Sequence, residues 1–177
     1  VFAAGNPERL HTLTLTNCEA HDNLPPKALL PMVLLARMGL FARLAPPMVR
    51  DIRRARKRVY GSGYQDVASL PDEVVRAWLE PLFGTAESAR QFQRLITSLR
   101  ARDLLAVEPA LARLQVPTLI VWGTGDKFFR RRWAYWLRDT IPGATDVIEI
   151  DGARLFFPDE RAAELTTALR RHWDAHP

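Results

Sequence analysis

The stretch "VPTLIVWGTGDKFF", residues 116–129, decides how the rest of the chain is read. Pro117 and Gly123 bound a short run of apolar and β-branched residues with no polar alternation. Such a run suits a strand buried on both faces, as in a parallel sheet. Downstream, "FFRRRWAYWLRDTIPG" predicts a helix ending before Pro142 and "TDVIEID" a second strand. "PDERAAELTTALRRHWDAH" then predicts an amphipathic terminal helix, with acids in its first turn and arginines in its last. Strand, helix, strand, helix with short loops implies right-handed crossovers and an α/β fold built on a parallel sheet.

Upstream, "LHTLTLTN" alternates apolar and polar residues, predicting a strand from about Leu10 to Thr16, and "NCEAHDNLPP" follows as a loop. From there to Leu114 every periodic segment is helical. "KALLPMVLLARMGLFARL" reads as one helix and "PPMVRDIRRARKRVY" as a second, closed by a turn at Gly61 to Gly63. "LPDEVVRAWLEPLF" gives a third, "TAESARQFQRLITSLRA" a fourth capped by Thr85, and "VEPALARLQ" a short fifth. The expected organisation is a part of the α/β core over 1–24, a helical insertion over 25–114, and the rest of the core over 115–177.

Composition sets outer limits. The chain has 177 residues, 47% hydrophobic and 25% charged, enough for a buried core. No run of about 18 apolar residues occurs, so no membrane partner is expected. The single Cys18 excludes an internal disulfide and fits a reducing, cytoplasmic setting. The net charge of +5 resides in arginine, lysine occurring only at Lys27, Lys57 and Lys127. Its densest run, Arg50 to Arg58, lacks interleaved aromatics; it reads as a solvated helix face, and no nucleic-acid partner is expected. "VFAAGNPERL" opens in the apolar middle of a helical pattern without a cap, so residues upstream are expected to be missing. Without them the first strand would expose unpaired backbone, and self-association is expected.

The segments "NPERLHTLTLTNCEAHD", "VPTLIVWGTGDKFF" and "IPGATDVIEIDGARLFFPDERAAEL", in this order around a helical insertion, resemble the C-terminal half of an α/β-hydrolase of the haloalkane dehalogenase and epoxide hydrolase branch. The resemblance covers essentially the whole chain. It implies about three strands of the hydrolase sheet, a helical cap over 25–114, and a small-molecule substrate bound between cap and sheet. It also implies hydrolysis through a covalent intermediate, with no metal and no organic cofactor.

That chemistry needs a nucleophile, a histidine and an acid. The nucleophile elbow of the family, of the form G-x-S-x-G or G-x-D-x-G, is absent. Ser62 in "YGSGY" is flanked by tyrosines where the outer glycines belong, and reads as part of a helix-ending turn. The family's acid maps to Asp126, whose residue-level alternative is a turn aspartate capping the following helix. Some members of the branch place the acid after the earlier strand, which maps to Glu19. The family's histidine loop falls on "GARLF", where Leu155 takes the histidine's place. His21, in the loop after the first strand, is the candidate for a relocated base, or else a loop histidine bonded to backbone. Phe128, Phe129 and Phe156 are candidates to line an apolar substrate pocket. Without the elbow and the histidine, the chain alone is expected to be inactive. The rival expectation is a non-catalytic binding or scaffold protein on the same fold.

Overall fold

The computed structural model describes residues 1–177. In chain order it contains α1 (Phe2–Gly5), β1 (Leu13–Thr16), α2 (Leu30–Arg37), α3 (Phe41–Met48), α4 (Ile52–Tyr60), α5 (Asp72–Phe83) and α6 (Ala86–Ser98). There follow α7 (Ala101–Leu105), α8 (Glu108–Leu111), β2 (Thr118–Gly123), α9 (Arg132–Thr140), β3 (Ala144–Ile150), α10 (Phe157–Glu160) and α11 (Ala162–Ala175).

The strands form one parallel sheet in the order β1-β2-β3. Leu13 to Thr16 lie opposite Thr118 to Val121, and β3 pairs with β2 through an irregularity between Thr118 and Ile120. All six residues of the middle strand are buried, which is why it is written as an unbroken apolar run. Alternate side chains of β2 serve opposite faces. Ile120 and Trp122 pack with Trp133, Ala134 and Leu137 of α9, while Leu119 and Val121 pack with Ile150, Phe157 of α10 and Ala168 of α11. The sheet is thus covered by helices on both sides. No single helix is long and apolar enough to cross a membrane.

The chain divides into two compact units, one made of Val1–Leu24 with Arg100–Pro177 and the other of Pro25–Leu99. The helical segment expected over 25–114 is therefore split: α7 and α8 belong with the sheet. Leu104 of α7, Leu111 of α8 and Val107 between them face a cavity beside β1.

Within Pro25–Leu99 the helix boundaries also differ from expectation. The single helix expected over 27–44 is broken after α2, where Gly39 adopts φ +72°, a left-handed conformation that costs glycine little. Pro46 and Pro47 lie at the end of α3 instead of opening the next helix. α4 starts afresh at Asp51, whose side chain accepts the backbone N–H of Arg54 at 3.0 Å. Thr85 caps α6 as expected, in a reciprocal box with Ser88. The terminal helix is likewise two pieces, α10 and α11, interrupted at Arg161.

Candidate functional site

Asp126 stands three residues beyond β2, at the edge of the sheet where the strands' carboxyl ends open, the usual place for chemistry in parallel α/β sheets. It is 8% exposed. One carboxylate oxygen accepts the backbone N–H of Phe128 at 2.7 Å, and the other accepts the Asn17 side-chain amide at 2.6 Å. The next helix begins only at Arg132, so Asp126 shapes a turn and does not cap α9. Burial raises the pKa of its carboxyl above the ordinary aspartate value, while the bonds from Asn17, Phe128 and Phe129 pull it back down.

Asn17, a residue to which the sequence assigned no role, organises this corner. It lies one position past β1 and is buried. Its Oδ1 accepts the N–H of Gly123 at 2.7 Å, and its Nδ2 donates to the carbonyl of Gly123 at 3.2 Å as well as to Asp126. One side chain thus continues the β1–β2 pairing beyond the strands and holds the carboxylate. The signal for it was the placement of a short amide at the end of "LTLTN", a type that satisfies backbone groups locally.

The loop after β3 runs directly against the Asp126 loop. The N–H of Gly125 donates to Ala153 at 2.9 Å, and the N–H of Gly152 donates to Thr124 Oγ1 at 2.9 Å. A Cβ on Gly123 or Gly125 would sit 2.5 Å from the carbonyl oxygen of Ala153 or Gly152, so only glycine permits this approach. Leu155, in the histidine's expected place, is half-buried and packs against the core on the α9 side of the sheet. Phe129 is a core residue whose carbonyl accepts the indole N–H of Trp122 at 3.0 Å, and Phe128 packs against the same core. Phe156 is half-buried. None of the three expected lining phenylalanines borders the cavity described next.

That cavity measures about 320 Å³ and is bordered by Leu13, Leu15, Cys18, His21, Val107 and Trp136 among others. Its wall is mostly apolar, with His21 and Glu19 as its polar members. His21 holds a left-handed φ of +52°, uncommon for a residue with a Cβ. Its ring lies 5.2 Å from that of Trp136 and 5.9 Å from that of Trp133, and its Nδ1 meets Glu108 Oε1 from α8. A proton on Nδ1 directed at this carboxylate leaves Nε2 as the acceptor, the arrangement a general base needs. His21 is therefore neither paired with Asp126 nor bonded to backbone. Glu19 is exposed and makes no hydrogen bond. Burial, followed by the nearby Glu19 charge, pushes the Cys18 thiol up to about 12, which keeps it protonated and a poor nucleophile. The His21 and Asp126 loops are tied together twice, through Asn17 to Asp126 and through Asn23 to the carbonyl of Phe128 at 3.4 Å. No three His, Cys, Asp or Glu side chains are placed to hold a metal ion. Ser62 is exposed in its turn.

Compared with protein-family profiles and with curated protein sequences, the chain matches none of them. Solved structures do match. The 2-hydroxy-6-oxo-6-phenylhexa-2,4-dienoate hydrolase of Rhodococcus sp. strain RHA1 aligns with a TM-score of 0.73 and 18% identity, over 97% of this chain and 58% of that one. An α/β-hydrolase fold protein of Burkholderia ambifaria aligns with a TM-score of 0.75 and 19% identity, over 95% and 60%. A protein described as an ancestral haloalkane dehalogenase gives 0.69 and 19%, over 98% and 62%. The fold is that of the α/β-hydrolases, and the chain spans about three-fifths of the length of these structures.

Proposed function

We propose that this chain belongs to an α/β-hydrolase that cleaves a small, mainly apolar ester, epoxide or carbon–halogen compound through a covalent enzyme intermediate. Residues outside 1–177 supply the nucleophile. Asp126 is the acid of the site and His21, backed by Glu108, the base that delivers water to the intermediate. Residues 25–99 serve as the cap. The observation that carries this reading is a buried, doubly hydrogen-bonded carboxylate just past the middle strand of this particular fold. The apolar cavity beside His21 supports the substrate class.

A second reading follows from Leu155. A half-buried apolar side chain packed against the core where the family's histidine belongs suits a protein that binds small apolar molecules without turning them over. The two readings separate in one assay. The protein expressed from its complete natural reading frame is offered an aryl ester, a terminal epoxide and a bromoalkane, with product release and direct binding measured together. The hydrolase reading expects turnover that falls about a hundredfold or more in both Asp126→Asn and His21→Gln. Binding without turnover leaves the second reading, and turnover indifferent to both substitutions removes these residues from the chemistry.

A further inference from the structure

The largest local excess of basic charge lies in one stretch. Residues 27–58 hold nine lysines and arginines against a single acid, Asp51, a formal charge of +8 where the whole chain carries +5. The remaining residues are therefore net acidic. Of the nine cations only Arg53 and Arg56 form ion pairs, both with Asp72 of α5. Lys27, Arg37, Arg43, Arg50, Arg54, Lys57 and Arg58 form none.

The same stretch carries much of the exposed apolar surface of its unit. Leu30, Leu34 and Met38 are 50%, 59% and 61% exposed, and their spacing of four places them along one face of α2. α2 instead buries Val33 and Ala36. On α3 the buried positions are Phe41, Ala42 and Ala45, and Leu44 is left 53% exposed. Leu44 borders a shallow depression of about 230 Å³ shared with Met48, Arg54, Arg58 and the single acid Asp51. Here an unpartnered leucine and two unpaired guanidinium groups occupy the same surface.

We infer that residues 27–58 form a docking surface for an anionic lipid bilayer, with the arginines meeting phosphate headgroups and the exposed leucines entering the interface. The combination of cations and apolar side chains is what an interfacial segment requires. Duplex nucleic acid would engage the cations but leave the leucines in water. The segment lies on the bilayer and does not cross it. α2 and α3 have eight residues each and are bent by 112°. Each is about 12 Å long against a hydrocarbon core of about 30 Å. This inference stands independently of the hydrolase reading.

The test is sedimentation of the protein expressed from its complete natural reading frame with vesicles of phosphatidylcholine alone or with roughly 30% phosphatidylglycerol. Partition into the anionic vesicles should exceed that into neutral ones by at least about tenfold and fall with added salt. Arg54→Gln/Arg58→Gln should lower it by about 25-fold, a factor of about five for each charge. Leu34→Ser/Leu44→Ser, with the charge untouched, should lower it by about tenfold. All four side chains are exposed, so the variants should keep the parent's circular dichroism and melting temperature. Equal partition into both vesicle types overturns the inference, as does either folded variant binding like the parent. Retention on duplex DNA with no vesicle binding overturns it as well.

Discussion

The unit containing the sheet and the unit of Pro25–Leu99 have cores of different make. In the first, large side chains fill the interior: Trp122, Phe157, Ile120 and Ile141 are fully buried, and the strand ends are joined by one bridging amide at Asn17. In the second, the fully buried Tyr64, Leu79 and Val75 fill the helix contacts beside Ala36, Ala42, Ala45, Ala55 and Ala89, with no strand among them. Phe41, Phe83 and Phe92 form an aromatic knot there, with ring centres 5.0 to 5.7 Å apart. The sheet unit spends its apolar surface on stability, and the helical unit leaves much of it outside.

The comparison is open to direct attack. Trp122→Ala removes a fully buried indole and its bond to the carbonyl of Phe129. It should cost about 4 kcal/mol in urea unfolding. A loss under about 1 kcal/mol would mean that the sheet core collapses around the gap and is less rigid than its burial suggests. Asn17→Ala should cost about 3 kcal/mol, because it strands the N–H and carbonyl of Gly123 together with one oxygen of Asp126. Stability within experimental error of the parent would show that water replaces the amide and that the strand ends are not sealed.

A smaller effect should appear in pH dependence. Because burial raises the folded-state pKa of Asp126 above its unfolded value, folding favours the protonated carboxyl. The stability it contributes is complete below the unfolded value and is lost as pH rises through the folded one. Asp126→Asn cannot titrate, so the difference between parent and variant should drift against the parent over that window and be flat above it. The absence of any drift would place the carboxyl in better contact with solvent than its 8% exposure implies. On the helical side, Thr85→Ala deletes the cap of α6 and should cost about 1 kcal/mol. A cost approaching that of Asn17→Ala would erase the contrast between the units.

What the sequence made legible follows the range of the forces involved. β2 could be read because burial on both faces is written locally, in consecutive residues. Asp126 was singled out because the family resemblance places an acid just after that strand; that it is buried and doubly hydrogen-bonded is what the structure adds. The capping of α6 by Thr85 was equally local. Asn17 escaped because its partners lie 106 and 109 residues away, and an asparagine at a strand end reads as turn chemistry until they are seen. The pairing of His21 with Glu108 spans 87 residues and escaped for the same reason. Helical periodicity shows that α7 and α8 have an apolar face but not which core it joins; by contacts they group with the sheet. Phe129 is apolar enough for a pocket and for a core alike, and its neighbour Trp122 decides for the core.

The pairing of Leu13 with Thr118 has a consequence in time. During synthesis β1 emerges about a hundred residues ahead of β2, and ribosomes add roughly 5–20 residues each second. The strand must therefore wait on the order of 5 to 20 seconds for its neighbour. The helices of Pro25–Leu99, whose contacts close within their own stretch, have that interval in which to form. Through the wait Leu13 and Leu15 are uncovered by α9, which has not yet been made. A nascent chain stalled short of β2 should accordingly be the form that chaperones hold most tightly.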